Sequence, residues 1–396
     1  MSIRRLVAAL LGLTAFVEML LSVQALFAQT PSRFGDPLPD LPASLLAAFE
    51  EGRQRFTMEE TAATGLGPLF NARSCAACHA VPVSAGSAAR EDAFTVRFGF
   101  QASGQPFNSL LNLGGPSLQR QSVAEDLEGC HLPGETVPRE ANAIGVRQPP
   151  ALFGLGLIQA IPDSAIMERA DVRDRDEDGI AGRPNVSNGV IGRFGWKAAV
   201  ATVADFVGLS LVGELGITNF LYPHEPSAQG APIPAACKIA ADPEDFDASR
   251  LAGITAFLSF MSAPPRGLIT DAALRGEALF AQAGCASCHT PLMKTGPSTM
   301  AGLDQVDVPL YSDLLTHGMG SALDDRITEG AASGDRWRTP PLWGLRTRHF
   351  YLHDGRTSDL AMAIALHGGE ARQSRDRFTA LSSAQKADLL AFLRTL

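Results

Sequence analysis

Apolar positions fall along the chain in three kinds of run. The first is continuous: Leu6 to Phe27 is almost wholly apolar and follows the charged pair Arg4 and Arg5. Small residues at Ala25 and Ala28, before the polar Gln29-Thr30-Pro31, offer cleavage sites, so residues 1–28 are predicted to be an export signal. An uncleaved membrane anchor is the competing reading, and Glu18 in the middle of the run counts against it. The second kind has helical spacing. Leu274, Ala278 and Phe280 mark a helix over 271–280 that Gly284 stops, and Leu45, Leu46, Phe49 and Phe56 mark a less regular one earlier. Further helices are predicted over 247–258 and 383–393. The third kind has no period: Gly99 to Pro234 is rich in glycine and proline and reads as loops and short helices. Ala263-Pro264-Pro265-Arg266 cannot continue a helix. The pattern therefore predicts an all-α chain of two halves, 29–262 and 267–396, with loop-rich insertions enlarging the first.

Composition adds little until the cysteines are placed. With 396 residues, 45% of them hydrophobic, the chain can bury a core in each of two or three domains. A net charge of −9 and a pI near 5.4 argue against nucleic acid as a partner. Six cysteines behind an export signal would ordinarily read as three disulfides, but four of them are arranged otherwise. Cys75-Ala-Ala-Cys78-His79 and Cys285-Ala-Ser-Cys288-His289 are both C-x-x-C-H, the attachment sequence for c-type haem. Two thiols three positions apart can reach the two vinyl groups of one porphyrin, and the adjacent imidazole can then meet the iron from the proximal side. One such sequence is compatible with a zinc site or a redox dithiol. Two, without further C-x-x-C pairs to complete a zinc tetrahedron, favour two covalently bound haem c groups. Each half then has the outline of a cytochrome c domain: an opening helix, a haem sequence and a closing helix across the first. Cys130 and Cys237 remain, either as a disulfide closing a long loop or as buried free thiols.

Longer stretches carry a resemblance. Arg338-Thr-Pro-Pro-Leu-Trp-Gly-Leu345 and Tyr351-Leu-His-Asp-Gly355, in a chain with two such haem sequences, resemble the bacterial dihaem cytochrome c peroxidase and MauG superfamily. Arg147-Gln-Pro-Pro-Ala-Leu-Phe-Gly154, the acidic stretch 176–185 and Gly192-Arg-Phe-Gly-Trp-Lys197 resemble its di-haem oxidoreductase branch, which includes members labelled peroxidases or thiol oxidoreductases. The resemblance implies His79 and His289 as proximal ligands. It also implies a sixth ligand to the second haem shortly after the Tyr-x-His-x-Gly stretch, a position that His367 takes here. Leu360, Ile364 and His367 share one helical face ended by Gly368-Gly369, while His317 and Met319 are the alternatives. At the first haem the resemblance implies Trp196 between the haems and Glu214 as the acid–base group that helps cleave a peroxide bond. The glutamine expected between those two is not evident. Arg338 and His353 are expected to bind propionates or to brace the interface.

Asp174, Asp176 and Asp178, with Gly179, look like the opening of a calcium loop. Asn185 stands where a bidentate glutamate would close it, and a solvated acidic turn is the plain reading. The function expected is periplasmic peroxidase chemistry: hydrogen peroxide or another small oxidant reduced at the His79 haem with electrons relayed from the second haem. The expected donor is a small cytochrome c or cupredoxin, a basic one given the acidic chain. A homodimer is left open. The competing functions are a dihaem electron carrier without catalysis, and oxidation of a protein or organic substrate as in MauG and rubber-oxygenase relatives.

Overall fold

The computed structural model describes residues 32–396 except 188, 225–227 and 240–247. The expected export signal lies outside the described residues, as does the first position of the helix expected from 247. The helices that frame the sites are α1 (Ala43–Thr57), α2 (Val203–Leu215), α3 (Ala248–Ser259), α4 (Asp271–Gln282), α5 (Leu360–Ala365), α6 (Arg372–Ala380) and α7 (Ser383–Leu393). Their ends follow local chemistry. The Thr270 hydroxyl accepts from Ala273 N–H at the start of α4, and Ser382 with Gln385 makes a capping box for α7. Past α4, Gly284 takes a left-handed φ of 81° that a side chain would resist.

Two helix crossings repeat one plan. Helix α1 crosses α3 at Gly52, where an added Cβ would lie 1.9 Å from the Gly253 carbonyl oxygen. Helix α4 crosses α7 at Gly276, where it would lie 2.0 Å from the Asp388 carbonyl oxygen. Four residues beyond each glycine a buried phenylalanine faces the partner helix: Phe56 is 5.3 Å from Phe257, and Phe280 is 5.2 Å from Phe392. This contact corrects the expected face of α4. Leu274 is 56% exposed, and the buried residues are Ala273, Gly276 and Phe280. Backbones this close admit only small side chains at the crossing, so leucine is turned out.

The all-α expectation is corrected in part. Helix makes up 35% of the chain, and long loops are pinned by two-stranded antiparallel ribbons that apolar spacing did not reveal. The ribbons relevant here are β1 (Thr95–Gly99) with β2 (Ala143–Arg147), pairing Thr95 with Arg147, and β3 (Thr316–Gly318) with β4 (Arg336–Arg338), pairing His317 with Trp337. Most others are two residues long, too short for a period of two to register. Cys130 and Cys237 form a disulfide across 107 positions, which removes the free-thiol alternative. The larger core unites Phe49, Phe153, Ile158 and Leu251 with Leu310, Leu314, Leu315 and Trp343, so both halves contribute to one interior. A smaller cluster beneath the second haem sequence contains Phe280, Phe378, Leu389 and Phe392.

Candidate haem sites

Each C-x-x-C-H opens on a helical turn at the wall of a cleft. The two clefts, measured out to their open mouths, enclose about 1270 Å³ beside Cys75, Cys78 and His79 and about 1350 Å³ beside Cys285, Cys288 and His289. The imidazoles are held alike. His79 Nδ1 lies 2.9 Å from the Pro150 carbonyl oxygen, and His289 Nδ1 lies 3.0 Å from that of Tyr311. Each ring also packs against the phenylalanine of its helix crossing, at 6.4 Å from Phe56 and from Phe280 respectively. A backbone acceptor at Nδ1 fixes the tautomer with the proton there and leaves the Nε2 lone pair for a metal. Burial lowers both imidazoles to about 4, so both are neutral at pH 7.

Among the described residues that line the first cleft, His79 is the only histidine and there is no methionine, tyrosine or lysine. Helix α2 supplies Val207, Leu211 and Glu214 to the lining. The Glu214 carboxylate accepts a 2.8 Å hydrogen bond at Oε2 from Asn71 Nδ2. Burial raises its pKa, against the opposing effects of Asn71, Arg97 and Arg120.

The second cleft differs by holding two suitably prepared imidazoles. His367 lies beyond the end of α5, which stops at Ala365 rather than carrying the histidine as expected. Leu360, Ile364 and His367 nevertheless line one cleft, and His367 Nδ1 lies 2.8 Å from the Ala363 carbonyl oxygen it helps to satisfy. His367 is near enough to His289 that its charge would disfavour charge there. Of the alternatives, Met319 lines the same cleft. His317 has both ring nitrogens engaged, Nε2 at 2.8 Å from Asp313 and Nδ1 at 2.8 Å from Glu370. Burial opposes charging that ring, but its bonds to Asp313, Cys288 and Glu370 outweigh burial and raise it well above the usual range. With both ring nitrogens taken up by carboxylates, His317 is set apart from His289 and His367, whose Nδ1 atoms face backbone carbonyls.

Two guanidiniums in the second cleft test its fit to a haem. Arg338 and Arg348 both line it, and the Nε of each has no hydrogen-bond partner. Burial lowers both to about 10. Uncompensated buried charge is costly, and the carboxylates of a haem would supply the missing partners. An apolar cleft, paired thiols, imidazoles with free Nε2 and these cations fit the cofactor.

Trp196 and Gln148 line both clefts and so form part of the wall between them. Trp196 Nε1 donates to the Gln148 carbonyl at 2.9 Å, and Gln148 Nε2 donates to the Phe350 and Leu352 carbonyls at 3.2 and 2.5 Å. The His353 ring stacks on Trp337 at 3.5 Å in the lining of the second cleft.

A family model described as "Di-haem oxidoreductase, putative peroxidase" matches residues 135–396. The chain belongs to this family. As a di-haem oxidoreductase its family implies two haem groups, and the two clefts account for both. No curated protein matches the chain. Among solved structures, a MauG-like protein associated with microbial copper homeostasis is 19% identical over 93% of this chain and 94% of its own, with a TM-score of 0.43. The diheme peroxidase BthA of Burkholderia thailandensis is 17% identical over 92% and 89%, with a TM-score of 0.42. Likenesses this slight carry no argument.

Several residues at these sites escaped the sequence reading. Gln148 and Arg348 stand within or beside the stretches that carried the resemblance, but nothing in their spacing marks them. Asn71 is brought to Glu214 from 143 positions away, a contact no local pattern encodes. Carboxylate oxygens of Asp174, Asp176 and Asp178 come within 4.8 Å of one another on an exposed loop, where two of the side chains accept from backbone N–H groups.

Proposed function

We propose that the di-haem oxidoreductase reduces peroxide in the first cleft with electrons that enter through the second. The observation that carries this reading is the difference between the clefts. The second offers His289 and His367, enough to fill both axial positions, whereas among the described residues the first offers His79 as its one histidine and has the carboxyl groups of Glu214 and Glu329 in its lining. A haem held at each C-x-x-C-H, through Cys75 and Cys78 or Cys285 and Cys288, supplies iron that binds an oxidant and exchanges single electrons.

The chain's own residues would supply the rest. Glu214, with its proton retained to higher pH than an ordinary glutamate, holds a proton at the carboxyl group that faces the cleft and moves it to the oxygen that leaves as water. Asn71 fixes one oxygen of that carboxyl and thereby aims the other. Apolar side chains of α2 limit water at the reacting side. Trp196, which lines both clefts, gives them a shared aromatic wall through which an electron would pass. Arg338 and Arg348 neutralise the propionates of the second haem. The setting is periplasmic, the donor a small cytochrome or cupredoxin, and the oxidant hydrogen peroxide or a compound as small.

The test is turnover. Protein carrying both haems, reduced at the second, should oxidise a reduced donor stoichiometrically with added peroxide. Absence of any peroxide-dependent oxidation after that reduction would leave the electron-carrier function standing instead.

A further inference from the structure

Residues 193–200 form a tight hairpin whose tip, Gly195-Trp196-Lys197-Ala198, reaches into the second half. Phe194 and Val200 pair across it, and Gly195 and Ala198 at the tip have left-handed φ values of 79° and 50°. For the alanine that conformation is unusual, and the surroundings must hold it. Trp196 is one prong of the tip. The other is Lys197, whose side chain is 0% exposed.

The Lys197 ammonium sits among oxygens of the segment before and within β4. Its Nζ donates to the carbonyls of Ser333, Gly334 and Arg336 at 2.7, 2.9 and 3.0 Å. Asp325 lies at 3.7 Å, and the Trp337 ring centroid lies 3.8 Å away. Three acceptors require three N–H donors, so the group present is the ammonium and not the amine. Although burial lowers it to about 8, it stays cationic at neutral pH. The main chain beside it is fixed as well: Arg338 N–H donates to the Trp196 carbonyl at 2.9 Å, and Asn185 Nδ2 to the Lys197 carbonyl at 2.8 Å. Three carbonyls, a carboxylate and an aromatic face are a cage for a small cation.

We infer that Lys197 is a tethered cation: its ammonium fills a carbonyl cage of the second half and thereby positions Trp196 in the wall between the clefts. It is a positioning residue, touching neither cleft. The segment that supplies the cage also supplies Trp337 and Arg338 to the second cleft, and Arg147, 2.5 Å from Asp325 and 4.7 Å from the Trp337 ring centroid, shares the carboxylate and the aromatic face with Lys197. This inference rests on the proposed electron route through Trp196.

The experiment uses the full chain with both haems. Lys197→Ala should keep two haems per chain yet unfold at a lower temperature. It should also pass electrons between the haems about 10- to 100-fold more slowly, the loss expected when a positioning group is removed. Methylammonium, which fits an emptied cage, should restore both properties in Lys197→Ala and neither in the wild type, whereas tetramethylammonium should restore nothing. In a Trp196→Phe background the alanine substitution should no longer slow transfer, although it should still lower the unfolding temperature. Should Lys197→Ala fail to accumulate, Lys197→Gln, uncharged with two N–H donors, carries the comparison of unfolding temperature and transfer, without the methylammonium arm because its amide fills the cage. A Lys197 variant with wild-type stability and transfer overturns the inference, as does a Lys197→Ala protein whose defects ignore methylammonium. If Trp196→Phe alone leaves transfer unchanged, the electron route fails; rescue of the unfolding temperature by methylammonium would then still support the cage.

Discussion

Under the proposed function, Glu214 is the residue whose removal should cost turnover most directly. Glu214→Gln removes the titrating proton and keeps the shape, so haem content should hold and peroxide turnover should fall by roughly 10²–10⁴. The pH profile gives the sign. Burial raises the folded pKa of this carboxyl; the protonated form therefore survives above the ordinary glutamate range, and its contribution to turnover is lost as pH rises through the raised value. Stability follows the same direction: the folded state holds the proton more tightly than the unfolded chain, so this group's contribution is present at low pH and declines across that window. The Gln variant should lack that alkaline limb in turnover; an unchanged limb would assign it to another group. Arg348 makes a second residue-scale case. Arg348→Leu deletes a buried cation beside the second haem, which should lower that haem's reduction potential without altering the first; redox titration followed by absorbance would read it, and an unmoved potential would remove Arg348 from the haem's surroundings. Cys75, Cys78, His79, Cys285, Cys288 and His289 line the two clefts and were visible beforehand because C-x-x-C-H is contiguous, whereas His367 was expected only from the resemblance. Asn71 and Arg348 were not visible, because burial and the partner that burial demands exist only once the chain is folded.

The crossing helices set where the proximal imidazoles stand. Gly52 and Gly276 let α1 meet α3 and α4 meet α7 at backbone contact, and Phe56 and Phe280 then lie against His79 and His289. Gly276→Ala should force that crossing apart and cost about 1–3 kcal/mol, the usual range for overpacking, with thermal unfolding of the holoprotein as the measure. Alanine at Gly213, with nothing closer than 4.0 Å to an added Cβ, is the control that should cost less. The four helices of the two crossings were legible from spacing, to within a residue or two at their ends. Which residues they bury was less so: hydrophobicity favours Leu274 for the interior, but the distance between backbones favours Ala273 and Gly276. Ribbons of two or three residues carry too few alternations to read, and the end of α5 before His367 depends on a side chain turning back to cap its own helix.

In the whole molecule, the two halves repeat a helix crossing and a haem sequence but line their clefts differently. His367 lines the second cleft, while the first, enlarged by Gly99 to Pro234, is lined by α2 with Glu214. That insertion, expected as loops and short helices around the first haem, contains the 13-residue α2 helix of the first cleft; glycine and proline content marks where a chain turns and says little about how long a helix lies between the turns. Replacing Cys285 and Cys288 by alanine should leave one covalent haem of two after acid–acetone extraction, and a variant that kept both would contradict the assignment of the attachment sites. Difference between the clefts, however, is what separates an enzyme from a carrier. The direct measurement is an EPR spectrum of the ferric protein with both haems, recorded for the wild type and for His367→Ala. One high-spin and one low-spin haem in the wild type, becoming two high-spin haems or a new low-spin species in the variant, is the expected result. Two low-spin haems in the wild type would contradict an open first site, and with it peroxide reduction there.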